Sequence, residues 1–277
     1  MSSYFPIPPN IFIEDISLYI YGSITFLNIP NNRLKESFFE KKYDSVLYLG
    51  LYKLDKNNWI LLKVIKCLPF EFCEIKRSEL EVCDEEMVIL IPKKSKNFPN
   101  FTKILPYPDK LRSDKSPVAE RCSLNFTFKN STTSYQGEYP FKMTTLKQSS
   151  FLSFDTLKNW TNKKVANYLI FMNILRDSDI RENVLIKVID PKNKQIKKSI
   201  KAKKNAFTIY KITEEKNKKF ENPTSFYKSN ECSFIPILLS INLENSQLSV
   251  EHTHPPSEMV YGINKFDVIK QIKNIWI

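Results

Sequence analysis

Glycine is nearly missing from this chain. Only Gly22, Gly50, Gly137 and Gly262 occur among its 277 residues. The G-x-G-x-x-G dinucleotide fingerprint needs its glycines for a tight turn and for close approach of backbone to a pyrophosphate. The P-loop needs two glycines and a Lys-Ser/Thr pair for the same purpose. Glycine-rich kinase loops and the G-x-S-x-G nucleophile elbow fail on the same count. No nucleotide cofactor of P-loop or Rossmann type is expected.

Other absences narrow the field further. Cys67, Cys73, Cys83, Cys122 and Cys232 are an odd, scattered set with no C-x-x-C pair, which suits reduced thiols better than a disulfide framework. No run of apolar residues is long enough for a membrane-spanning helix. The first residues lack the basic and apolar regions of a secretory signal. A cytoplasmic protein without a membrane span is therefore expected. Arginine is scarce too, 6 residues beside 36 lysines. That leaves few groups for the bidentate phosphate and base contacts of sequence-specific nucleic-acid readers. No zinc-finger, RRM or KH signature is present.

What the chain does have is apolar and aromatic sequence in short runs. With 42% hydrophobic and 13% aromatic residues it can bury one large core or two smaller ones. The pattern predicts a mainly β protein with β-sandwich-like domains. Residues 11–20 and 23–29 read as strands around a turn at Tyr21-Gly22-Ser23. Val46–Tyr52 and Trp59–Ile65 flank Asp55-Lys56-Asn57-Asn58, a hairpin signal. Residues 86–92 add a strand, and 33–43 suit a short helix. Five prolines punctuate residues 92–119, so this stretch reads as a linker or long loop between a smaller β-rich domain, 1–91, and a β-sandwich domain, 120–277. In the latter, 122–128, 149–154 and 206–212 read as strands, and 168–174 as a strand or a helix. Residues 183–200 and 234–254 read as two hairpins, the second turning at Glu244-Asn245-Ser246-Gln247. An amphipathic helix is expected over 264–276, capped by Asn264 with Asp267 in its first turn.

Both histidines fall in one stretch, Glu251-His252-Thr253-His254-Pro255-Pro256-Ser257-Glu258. On a strand, residues two apart share a face, so His252 and His254 can reach one metal ion, a divalent transition metal such as zinc. Glu258 is the nearest candidate for a further ligand or base. The pair followed by proline resembles the His-x-His-Pro core of the JAMM metalloproteases, which implies a zinc hydrolase. That family also places a Ser-x-x-Asp downstream. Here Ser257 comes too early and no Ser-x-x-Asp follows, so membership is not assigned.

Charge is distributed unevenly. Residues 1–91 hold 10 Lys/Arg against 13 Asp/Glu, and the remainder holds 32 against 17. Lys192, Lys194, Lys197, Lys198, Lys201, Lys203 and Lys204 gather around one hairpin and its exit, where they can attract an acidic polymer, nucleic acid or glycan, or an acidic protein face. Lysine on a strand also discourages edge-to-edge aggregation. The acidic stretch from Glu71 to Glu86 suits a solvated loop or a contact with another copy's basic half. The reading that follows is a non-catalytic binding or assembly module with a basic face, partnered by protein or by itself. The alternatives are a metal-dependent, hydrolase-like enzyme using His252 and His254, and a structural subunit of a larger particle.

Overall fold

The computed structural model describes residues 3–28, 46–56, 58–105, 122–137, 139–140, 144, 149–154, 164–175, 183–190, 194–212 and 224–252. The chain forms two compact units, Met1–Lys142 with Arg176–Ser178, and Met143–Leu175 with Asp179–Ile277. The described residues are mainly β, as expected. Among them there is no α-helix, only 3-10 turns at Glu14–Ile16 and Arg77–Glu79, and no helix long and apolar enough to cross a membrane. The terminal helix read over 264–276 is not borne out; it and the short helix at 33–43 lie outside the described residues.

The first unit contains β1 (Ser3–Pro6), β2 (Ile11–Ile13), β3 (Leu18–Leu27), β4 (Val46–Asp55), β5 (Asn58–Cys67) and β6 (Phe72–Lys76). It continues through β7 (Val88–Ser95), β8 (Ile104–Leu105), β9 (Cys122–Phe128), β10 (Ser131–Gln136) and β11 (Tyr139–Pro140). One antiparallel sheet has the order β11-β1-β7-β4-β5-β8, the other β10-β9-β3-β2 with β6 also on β3. The two sheets share a core in which Phe5 of β1 meets Phe26 of β3 edge-to-face at 5.4 Å. β4 is free of charged residues from Val46 to Tyr52 because both its faces are covered there: a Cβ on Gly50 would meet the Phe101 ring at 2.5 Å, and Tyr52 donates to the Thr102 carbonyl at 3.0 Å.

Two details depart from the sequence reading. Gly22 is not a turn but the middle of β3, and the reversal lies at Glu14–Ser17. The glycine is required because the Pro8 carbonyl would stand 2.2 Å from any Cβ there. β7 runs through Pro92, which is tolerated because β1 pairs only with Ile89 and Leu90, leaving one neighbour at the proline. The two compact units divide at Lys142/Met143. β9 lies along β3 from Tyr21 to Phe26, so Cys122–Phe128 belongs with the first third of the chain. Residues 106–121 lie outside the described residues.

A buried arginine organises the acidic loop of this unit. Arg77 is 1% exposed and donates to the carbonyls of Ile7 at 3.3 Å, Cys83 at 2.7 Å and Glu86. Burial lowers its pKa to about 10, against the opposing pull of Asp84 and Glu86, so it remains charged at neutral pH. The planar guanidinium thus ties Ile7 to the 83–86 turn.

The second unit contains β12 (Ser149–Phe154), β13 (Val165–Met172), β14 (Asn183–Ile189) and β15 (Ile196–Lys203). β16 (Phe207–Ile212), β17 (Thr224–Ser229), β18 (Ile235–Asn242) and β19 (Gln247–His252) follow. They form two antiparallel sheets, β12-β17-β14-β15 and β16-β13-β18-β19. One core draws on both, with Leu169 and Phe171 of β13 packed among Val184, Ile186, Val188, Ile200, Ala202 and Tyr227. Phe171 meets Phe234 edge-to-face at 5.3 Å. Burying a side chain of this size is worth about 1.5–3 kcal/mol.

Candidate functional site

Strand alternation sorts the lysines of the basic hairpin. On β14, Val184, Ile186 and Val188 enter the core, leaving Asn183, Leu185 and Lys187 on the opposite side. Register places Lys201 opposite Leu185, Lys203 opposite Asn183 and Ser199 opposite Lys187. Lys201 and Lys203 therefore share the outward face of β15, about 7 Å apart, and the register shift at Val188/Ile189 leaves Lys197 outside that alternation. Lys197 approaches Asp190 at 3.7 Å, a half-buried pair at the limit of ion-pair distance.

The remaining candidates separate. Lys198 has the parity of Ile200 and Ala202 and instead lies over the Tyr210 ring, 4.5 Å from its centroid, donating to the hydroxyl at 3.0 Å. Lys194 sits in the hairpin turn with φ 60°, its N–H donating to the Asp190 carbonyl at 2.8 Å. Lys204 lies in the β15–β16 turn. Lys192 is outside the described residues.

Two lysines that sequence reasoning passed over join the face. Lys228 of β17 stands directly opposite Lys187 of β14. Their separation in sequence hides this, and only the sheet order reveals it. Both strands are interior to the sheet, since β14 lies between β15 and β17, and β17 between β12 and β14. Protection of an exposed edge can account for lysine on β15. It cannot account for Lys187 and Lys228. Like charges directly opposite each other on a sheet oppose folding, so this pair carries a small cost.

The turn that ends the basic strand is pinned by two asparagines. Asn173 Nδ2 donates to the Lys203 carbonyl at 2.8 Å, and its Oδ1 accepts the Asn205 N–H at 2.9 Å. Asn205, at φ 51°, accepts the Leu175 N–H at 2.6 Å through Oδ1. Left-handed backbone suits asparagine among the side-chain-bearing residues. The consequence is a fixed position for Lys203 at the end of the face.

The metal candidates are less developed. His252 is the last residue of β19, paired with Ile237, while His254 and Glu258 lie outside the described residues. Among the described residues no group of three or more His, Cys, Asp or Glu is placed to hold a metal ion. The cysteines are free thiols. Burial raises Cys232 and Cys73 each to about 11, so at neutral pH both are protonated and poorly nucleophilic.

Compared with known proteins, the chain matches no family model, no curated protein and no solved structure. The functional reading rests on the geometry of its own surfaces.

Proposed function

We propose that the protein is a non-catalytic binding or assembly module, of β-sandwich type in its second unit, whose lysine face receives an acidic partner. The observation that carries this reading is the opposed pair Lys187 and Lys228 on interior strands. The pair disfavours folding and protects no edge, so its use lies in what it attracts. Lys201 and Lys203 extend the same face. Ammonium groups act as point charges without the planar fork of arginine. The partner is accordingly a polyanion or acidic protein face held by charge spacing rather than by base identity.

Retention on heparin and on duplex DNA as a function of salt tests this. Lys187→Gln/Lys228→Gln elutes at lower salt. On DNA, the slope of log affinity against log salt becomes shallower by roughly 0.9 for each phosphate that the variant leaves unneutralised. Retention equal to wild type would refute the assignment of this face.

A further inference from the structure

The β3 sheet of the first unit turns a different chemistry outward. Alternation along β3 buries Ile20, Ile24 and Phe26 completely and leaves Tyr19, Tyr21, Ser23 and Thr25 on the other side. Pairing extends that side across the sheet. Tyr19 stands opposite Phe12 of β2. Tyr21 stands opposite Thr127 of β9, which is opposite Thr132 of β10. A continuous strip of these five residues crosses four strands.

The strip is open and ordered by backbone pairing. Phe12, Tyr19 and Tyr21 are 45, 38 and 49% exposed. Ring centroids lie 4.9 Å apart for Phe12 and Tyr19, and 6.0 Å apart for Tyr19 and Tyr21, which stack with 29° between their planes. Thr127 and Thr132 share a hydroxyl hydrogen bond of 3.0 Å at the surface. Beside them runs a polar row. Asn125 Nδ2 donates to Ser23 Oγ at 3.2 Å and Thr25 Oγ1 at 2.9 Å, and Ser123 Oγ donates to Asn125 Oδ1 at 2.9 Å. Single exposed aromatics are ordinary, whereas a contiguous apolar patch rimmed by polar groups marks an interaction surface.

We propose that this strip binds a neutral oligosaccharide. A pyranose ring presents a face of C–H bonds with slight positive charge, which rests on the negative face of an aromatic ring. Its rim of hydroxyls needs partners that both donate and accept, as Ser, Thr and Asn side chains do. The tyrosines and Phe12 supply the first requirement, and the Thr127–Thr132 hydroxyl pair the second, while the buried Asn125 row beneath Ser23 and Thr25 holds the sheet surface in place. Charge selects the occupant. Glu14 and Asp15 are exposed in the turn joining β2 to β3. Glu74 lies beside the strip, accepting from Ser23 Oγ at 2.9 Å, with Lys76 opposite Ser23 as the nearby cation. A single-stranded nucleic acid stacking on these rings would meet carboxylates where such grooves supply cations. A neutral glycan incurs no such repulsion.

A microarray of neutral oligosaccharides, with each hit titrated by calorimetry at low and high salt, tests the proposal. Wild type binds at least one neutral glycan with salt-independent affinity. Affinity falls about tenfold in Tyr19→Ala and in Tyr21→Ala, and is kept in Tyr19→Phe and Tyr21→Phe, which retain the ring. Lys187→Gln/Lys228→Gln leaves it unchanged. The proposal is overturned if no neutral glycan binds, if binding survives Tyr19→Ala/Tyr21→Ala, or if only anionic glycans bind and salt abolishes it.

Discussion

In the first unit the outward side of β3 and its neighbours carries rings and hydroxyls; in the second, the outward side of β14, β15 and β17 carries lysines. Both arise from the same alternation of side chains along a strand. β15 is an edge strand, where lysines discourage edge-to-edge pairing. β3 is paired on both sides by β9, β2 and β6, so its side chains have no edge to guard. The difference teaches that charge on a sheet must be judged by strand position. On an edge it has a structural explanation; on an interior strand that explanation fails.

The largest expected effect breaks the comparison by removing one side of it. Arg77→Ala leaves the Ile7, Cys83 and Glu86 carbonyls without their buried partner, a loss of about 3 kcal/mol. Peptide-resolved hydrogen exchange in urea should show faster opening of the first unit, with protection in β13 and β18 unchanged. Equal losses in both units would show that they do not fold independently.

A pH dependence of intermediate size belongs to the second unit. Burial raises the Cys232 thiol from 9.0 to about 11. The folded state holds this proton more tightly than the unfolded state, so the contribution is intact below about pH 9. It is lost as pH rises through about 11. Wild type should lose about 2 kcal/mol more than Cys232→Ala across that window. Parallel pH profiles for the two proteins, from urea midpoints, would count against this assignment.

The smallest effect sharpens the comparison most. Lys228→Thr removes repulsion from Lys187 and should stabilise the second unit by about 0.5 kcal/mol while weakening retention on heparin. A variant that is less stable would place Lys228 among the residues that hold the fold.

Much of this architecture was legible in the sequence, because apolar alternation is a local signal. The hairpins β4–β5, β14–β15 and β18–β19 fall where alternation and turn residues place them. β6, β10 and β17 escape such a reading, since runs such as Ser131-Thr132-Thr133-Ser134 carry little hydrophobic contrast. Gly22 misleads for a physical reason: glycine for a turn and glycine for close approach look identical until the Pro8 backbone is seen against it. The candidate site was half visible. Lysines adjacent in sequence could be grouped, but Lys187 and Lys228 meet only through the sheet, and Phe12 joins Tyr19 and Tyr21 only through the β2–β3 register.

The position of β3 bears on how the chain comes into being. Asn125 reaches back to Thr25 across 100 residues, so the strand emerges from the ribosome long before its partner β9. At about 5–20 residues per second the delay is roughly 5–20 s. Throughout it, the edge of β3 that β9 will occupy lacks its native partner. Such a long-range closure is slow to form. The newborn chain therefore passes through an interval in which β3, an interior strand of the finished sheet, still presents an unpaired edge.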